Sequence, residues 1–380
     1  MVATIVHCAD LHLETVFPGM RGGEKRRRAL ADALVRIVDL ACERNADALF
    51  LGGDVYEAER AGPATARFLF EQLARFAKPV FVAPGNHDPY SPSAIFARHD
   101  IPPNVRVFGE AAWRAIPLST SDDEITVYGF AHTPAEPGRP FAHARFDRPG
   151  IRIALVHGSD EDRCPPNKRA TAPFTQSEIE ASGATLTLTG HYHGGYVARG
   201  RGEGGDRPVF AYPGSPEPIR FGESNEHGAL VVRITKKRIE IEAVPLARTR
   251  LVDRECALAD AASESAVAKA LEHALSDLGA NDYVRLRLHG TVAGGVHVDV
   301  AQLTETLGAQ LGALEILDET ICADYERLAA EPTVRGRVVR DLLAIARGND
   351  PETARAAAGA LRFTIAAFEG APIAPETSPV

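Results

Sequence analysis

From residue 2 to about 245 the chain repeats one phrase: a short β-branched, apolar run followed by a polar turn rich in Gly, Asp, Asn or His. Nine such runs read as strands: ATIVHCA, DALFLGG, KPVFVAP, ITVYGFA, RIALVHG, TLTLTG, PVFAYPG, GALVVRI and RIEIEAV. Between the early runs, Glu24 to Asn45 and Pro63 to Ala77 carry apolar residues at three- and four-residue spacing, the mark of amphipathic helices. After about residue 120 strand–helix alternation gives way to consecutive strands. That order predicts a two-sheet sandwich flanked by helices, an α/β layered fold.

The pattern changes after Arg250. DAASESAVAKALEHAL is helical, DYVRLRLHGTV alternates as a strand, HVDVAQLTETLGAQLG offers strand then helix, and ALEILDET is another strand. Two further helical patterns, RGRVVRDLLAIARG and DPETARAAAGALRFTIAAFEG, precede a Pro-rich end. The expected organisation is therefore a large domain over 1–245, a small α+β unit over 250–325, a helical segment over 330–370 and a disordered tail over 371–380. A length of 380 residues suits two or three such units.

Composition narrows the class. A hydrophobic fraction of 45% with 24% charged residues is that of a soluble globular protein, and no window is apolar enough for a membrane span. The start MVATIVHCADLHLE lacks a basic leader and reads as a first strand, which points to the cytoplasm. The five cysteines are scattered and never form a C-x-x-C pair, so reduced thiols are expected. A net charge of −9 repels a polyanion globally, and any nucleic-acid role must rest on local basic patches.

Candidate chemistry sits at strand ends. The first run ends in Asp10-Leu11-His12, the second in Gly52-Gly53-Asp54, the third in Gly85-Asn86-His87-Asp88, a later one in His157-Gly158, and another in Gly190-His191-Tyr192-His193. Each alone reads as a capped loop or a packed histidine. Strands of one sheet that all end in polar groups deliver them to one crevice, so the ordered set points to a shared metal site. The candidate ligands are Asp10, His12, Asp54, Asn86, His157, His191 and His193. Carboxylate, amide and imidazole donors suit Mn²⁺, Fe²⁺ or Zn²⁺ better than an all-oxygen cage. Seven donors exceed the need of one tetrahedral ion and fit two ions about 3.5–4 Å apart sharing a carboxylate, an arrangement used for attack on phosphorus. His87, beside Asn86, is the candidate proton donor, and Asp88 is expected to orient it.

CADLHLE, GGDVYE, APGNHD, VHGS and TGHYH resemble the signature blocks of the calcineurin-like metallophosphoesterase superfamily, and Ala211 to Gly228 (AYPGSPEPIRFGESNEHG) resembles a block of its bacterial SbcD-type DNA repair exonuclease branch. The resemblance implies a four-layer αββα sandwich with a small α+β capping domain and a helical C-terminal segment. It implies that Asp10, His12, Asp54 and His193 hold one ion and that Asp54, Asn86, His157 and His191 hold the other, with Asp54 bridging and His87 as the acid. It further implies Mn²⁺-dependent DNA cleavage and a coiled-coil ABC/SMC-type ATPase partner for the C-terminal helices.

For DNA, basic loop residues Arg139, Arg145, Lys168, Arg169, Arg199 and Arg201 are the candidate contacts, and Arg21, Lys25, Arg26, Arg27 and Arg28 form a further cluster. Two alternatives stay open: a phosphodiesterase or phosphatase acting on a small nucleotide or a phosphoprotein, and an interaction subunit of an SMC-like ATPase. A homodimer is likewise left open.

Overall fold

The computed structural model describes residues 2–17, 22–119, 124–135, 137–165, 169–202, 205–223, 226–294 and 296–369. The expected tail over 371–380 lies outside them. Contacts divide the chain into two units, Met1–Leu251 and Val252–Val380.

The first unit runs β1 (Ala3–Cys8), α1 (Gly23–Glu43), β2 (Ala48–Leu51), α2 (Pro63–Phe76), β3 (Val80–Val82), α3 (Ile95–Arg98), β4 (Val105–Val107), β5 (Arg114–Ser119), β6 (Glu124–Gly129), β7 (Ile151–His157), α4 (Gln176–Ser182), β8 (Leu186–Gly190), β9 (Tyr196–Gly202), β10 (Gly205–Tyr212), β11 (Gly228–Ile234) and β12 (Ile239–Pro245). Its strands form two sheets, in the orders β12-β11-β1-β2-β3-β4 and β5-β6-β7-β8-β10-β9. Each has a parallel run, β1 to β4 in one and β6, β7, β8 and β10 in the other, with β11 and β12 antiparallel at one margin of the first sheet and β5 and β9 antiparallel at the two margins of the second. Parallel strands buried on both faces need unbroken apolar runs, which ALFL in β2 and IALV in β7 supply.

Ile5, Phe50, Ile153, Leu188 and Val232 fill the space between the sheets. Burial of such side chains stabilises by roughly 1.5–3 kcal/mol each. The outer face of the first sheet packs on α1 and α2 through Leu34, Ile37, Leu69 and Leu73. The outer face of the second is covered by Phe141, Phe146 and Phe174 from loops, together with Ile179 of the short α4.

In this unit the sequence reading missed β4, β5 and β9. β4 has three residues, β5 is interrupted by Pro117 at a sheet edge, and β9 holds glycines and arginines in alternation, so none shows a long unbroken run of strand-forming residues.

The second unit comprises β13 (Arg250–Ala261), which starts in the last residues of the first, then α5 (Glu264–Ala274), β14 (Asp282–Ala293), α6 (Val300–Gly308), β15 (Ala313–Ala323), α7 (Tyr325–Ala330), α8 (Val334–Ala346) and α9 (Pro351–Glu369). Leu271, Leu286, Leu288 and Leu314 build the core of its three-stranded sheet. Leu328, Val339, Leu361 and Ile365 form a separate core among the last helices. The strand expected before α6 is absent: residues 296–299 are irregular, because Val296 N–H turns back to Ala293 and the Asp299 carboxylate caps α6 by accepting from Gln302 N–H. No described helix is long and apolar enough to cross a membrane.

Candidate metal centre

The register places the ends of the central strands level. Cys8 pairs with Leu51 and Leu51 with Val82 in the first sheet, and His157 pairs with Gly190 in the second. The loops leaving those ends meet at one edge of the sandwich.

Their meeting is tight enough to dictate residue type. Gly53 has φ of +90°, and a Cβ there would lie 2.7 Å from both Gly85 N and His157 Nδ1. At Gly190 a Cβ would lie 2.4 Å from Gly52 O. Asp10, His12, Asp54 and His191 also take positive φ, at 54°, 47°, 51° and 111°. Non-glycine residues pay for such conformations at roughly 1–3 kcal/mol each, strain found where side-chain placement matters more than stability.

All seven candidate ligands converge. Donor atoms of Asp10, His12 and His193 lie within 4.8 Å of one another, as do those of Asp54, His157 and His191. Asp54 stands between the groups, its Oδ2 at 3.7 Å from His12 Nε2 and 3.3 Å from His157 Nε2. Asn86 Oδ1 reaches to 3.1 Å of His157 Nε2.

The polar atoms of this crevice are left as a cation would need them. His12 Nε2 is buried without a hydrogen-bond partner, while its Nδ1 meets Glu57 Oε1 at 2.8 Å. His157 Nδ1–H donates to Gly52 O at 2.8 Å, which leaves Nε2 facing two acceptor oxygens, those of Asp54 and Asn86. An imidazole nitrogen between two oxygens requires either a proton or a metal ion there. Burial alone would lower the His157 pKa, but the Asp54 carboxylate, aided by Asp10, raises it to about 9. Burial would raise Asp54, yet the charge and hydrogen bond of His157 hold it far below the usual carboxylate range. Burial pushes Asp10 upward against the pull of His157 and His193. Burial, then repulsion from His157, takes His191 down to about 3, so it offers a neutral nitrogen.

Partners outside the candidate ligands orient them. Glu57 accepts from His12 Nδ1 and, through Oε2 at 2.8 Å, from His87 Nδ1, whose ring centroid is 4.7 Å from that of His12. This hydrogen bond raises the His87 pKa. Glu223 Oε1 takes His193 Nδ1 at 2.6 Å and its Oε2 accepts from Ile219 N–H. His132 Nε2 meets the carbonyl oxygen of His157 at 2.8 Å, and Asp10 accepts from His191 N–H. His7, read as packed, is fully buried with its ring nitrogens at Phe50 O and Thr189 O.

One expectation needs correction. Asp88 does not orient His87: its carboxylate is fully buried and accepts from the backbone N–H groups of Gly85, Asp54 and Val55 at 2.6–3.0 Å. Burial and the charge of Asp54 push its pKa to about 6 despite those bonds. Adjacent residues in a tight turn point apart, so Asp88 ties the second and third loops together while Glu57 takes His87. Glu57 and Glu223 were missed by the sequence reading. The usable signal was chemical, because ligating imidazoles usually donate their other nitrogen to a carboxylate.

The basic residues are scattered in role. Arg139 is paired with Glu161 at 2.6 Å and Glu178 at 2.9 Å, Arg199 lies 3.6 Å from Asp206, and exposed Arg145 donates to the Ala144 carbonyl. Arg169 is exposed, Lys168 and Arg21 lie outside the described residues, and Arg201 is described only as part of β9. Arg26 is no surface cation: it is fully buried, bonding Thr249 Oγ1 and Pro218 O beside buried Glu217. Arg27 and Arg28 pair with Glu24.

The sequence profile of the calcineurin-like phosphoesterase family matches residues 3–195, just over half of the chain. A Bacillus subtilis (strain 168) protein described as an uncharacterized metallophosphoesterase, YhaO, is 26% identical over 254 residues, which cover 63% of this chain and 59% of that relative. Among solved structures, TT1561 of Thermus thermophilus has 12% identity and a TM-score of 0.38, covering 64% of this chain and 99% of that one. A dimetal phosphatase from Danio rerio has 12% identity and a TM-score of 0.40, covering 63% and 95%.

Proposed function

Since this chain belongs to the calcineurin-like phosphoesterase family, whose members use divalent metals, we propose that it is a two-metal phosphodiesterase acting on DNA, with Mn²⁺ as its ion. The observation that carries the reading is the pair of donor groups, Asp10/His12/His193 and Asp54/His157/His191, joined through Asp54. Asp10, His12, Asp54 and His193 would hold one ion, and Asp54, Asn86, His157 and His191 the other. Bound there, the ions supply Lewis acidity that neutralises phosphoryl charge and lowers the pKa of water from 15.7 toward about 7.

The chain's own residues do the rest. Glu57 holds the Nδ1–H of His87, so the His87 Nε2 is the atom that gives a proton to the departing alkoxide. Glu223 and Glu57 fix the tautomers of His193 and His12 so that each presents Nε2 inward. Asp88 keeps the Asp54 and Asn86 loops in register.

DNA as substrate is supported by the resemblance of Ala211 to Gly228 to the SbcD-type block and by Arg163. The Arg163 guanidinium sits 4.0 Å from the ring centroid of Tyr196, three residues beyond His193, a cation and an aromatic face side by side at the ligand loops. A small-nucleotide diester is the second reading, favoured by the acidic partners of Arg139 and Arg199, which cancel charge a polyanion would use. Purified protein with Mn²⁺ assayed on linear duplex, single-stranded DNA, cyclic nucleotides and an aryl phosphodiester separates them. Cleavage of DNA that falls steeply with added salt supports the first reading. Turnover of small diesters with every DNA inert refutes it.

A further inference from the structure

At the same edge of the sandwich lies a cavity of about 380 Å³, within the roughly 300–1,000 Å³ of small-molecule sites. Its position follows from strand register. Tyr196 at the start of β9 pairs with Tyr212 at the end of β10, Gly228 at the start of β11 pairs with Pro245 at the end of β12, and Leu230 pairs with His7 near the end of β1. These ends lie on the side of the sandwich where β1 ends and the loop carrying Asp10 and His12 begins. Gly195, the first residue of the cavity wall, is two positions beyond His193. Pro213 in that wall precedes Gly214, where a Cβ would lie 2.6 Å from His193 O.

The shape has a physical cause. Packed sheets stand about 10 Å apart, a gap normally closed by interdigitated Leu, Ile and Val. Here Val197 of the second sheet and the adjoining loop residues Gly195 and Pro213 stand on one side, and Gly228, Ala243 and Pro245 of the first sheet on the other, with Tyr196, Leu230 and Val244 completing the lining. Glycine, alanine and proline at these places fill little of the gap, and the space left is a slot between the sheets. Its walls are apolar, while Glu226, exposed, and His227, buried with Nδ1 at Ser215, supply polar groups at one part of the lining. A mainly apolar slot with a carboxylate and an imidazole in its lining suits a planar heterocycle carrying exocyclic donors and acceptors.

We infer that this cavity is a nucleobase subsite, taking the base of the nucleotide whose phosphate lies at the metal centre. The inference rests on the phosphodiesterase reading above and deepens it by naming a nucleoside as the group that the enzyme selects. Continuity supplies the argument: one wall of the slot is the same loop that carries His193.

The test compares two diesters with one leaving group, thymidine 5′-(p-nitrophenyl phosphate) and methyl p-nitrophenyl phosphate, on the Mn²⁺-loaded full chain and on Ala243→Phe. Ala243 is exposed on β12, so a larger side chain there enters the slot without displacing the core. Wild type should favour the thymidine ester by about tenfold in kcat/KM, the scale of burying one planar ring. Ala243→Phe should lose most of that preference through KM while its rate on the methyl ester stays within about twofold. Equal rates on the two esters in wild type, or a preference intact in Ala243→Phe, overturns the subsite.

A second measurement needs no turnover. Titration of 2-aminopurine deoxyriboside monophosphate with metal-free protein should give saturable fluorescence quenching, weakened about tenfold in Ala243→Phe. No quenching by wild type overturns the subsite even if both esters are cleaved. Quenching by wild type with neither ester cleaved upholds the subsite and sinks the phosphodiesterase reading instead.

Discussion

Substitution of Glu57 by glutamine keeps the shape of the side chain and removes the acceptor capacity on which two imidazoles depend. In the structure one carboxylate serves His12 Nδ1 and His87 Nδ1, each at 2.8 Å, and Thr15 Oγ1 at 2.9 Å. An amide offers one oxygen and one N–H₂ donor, so one of the two histidines must switch tautomer or lose its partner. Loss of an outer carboxylate from a ligating histidine typically costs 10–100-fold in affinity or activity, and misplacing a general acid costs roughly 10²–10⁴-fold. We therefore expect kcat to fall about 10²-fold on an alkyl diester, equivalent to about 2.7 kcal/mol at 1.36 kcal/mol per decade. On a p-nitrophenyl ester, whose leaving group needs no proton, the loss should shrink to that of metal affinity alone. The pH profile carries the sign. The Glu57 hydrogen bond raises the His87 pKa, which keeps the acid protonated to higher pH. Glu57→Gln should move the alkaline limb of kcat toward lower pH, and Glu57→Asp should restore part of it. Stopped-flow or coupled assays across about pH 5–10 with both leaving groups measure this. An unshifted alkaline limb with equal losses on the two leaving groups would refute the assignment of Glu57 as the positioning residue of the acid.

Other consequences follow from the same geometry. Because Nε2 of His157 is held protonated to about pH 9 by Asp54 and Asp10, metal binding near neutral pH must expel that proton, and calorimetry in buffers of different ionisation enthalpy should register about one proton released. Asp54→Ala should remove the group shared by both donor sets and abolish both tight binding and turnover, readable as a lost metal-dependent rise in Tm. Gly53→Ala should destabilise by about 1–3 kcal/mol in urea titrations, since its Cβ would strike Gly85 N and His157 Nδ1 at 2.7 Å and its φ of +90° disfavours any side chain. Glu217→Ala should cost about 3–5 kcal/mol, because it strands buried Arg26 and removes the acceptor for Arg36, Arg248 N–H and Thr249.

Much was readable from the order of residues alone. Runs such as ALFL and LTLTG announce strands buried on both faces, and polar residues at their carboxyl ends have one crevice to occupy, whatever their separation along the chain. The convergence of Asp10, His12, Asp54, Asn86, His157, His191 and His193 on one crevice was legible for that reason. What lay off the strand ends was not. Glu57 and Glu223 reach the site through side-chain directions in loops, Asp88 turns away from its neighbour His87 into three backbone amides, and Arg26 leaves a run of surface cations for a buried pair with Glu217. Periodicity encodes which face a residue presents to a core, a one-dimensional property. Which carboxylate meets which imidazole, and where two sheets fail to close, depend on distances between segments far apart in the chain, such as Asp10 and His191 at a separation of 181 residues, and only the packed fold fixes those.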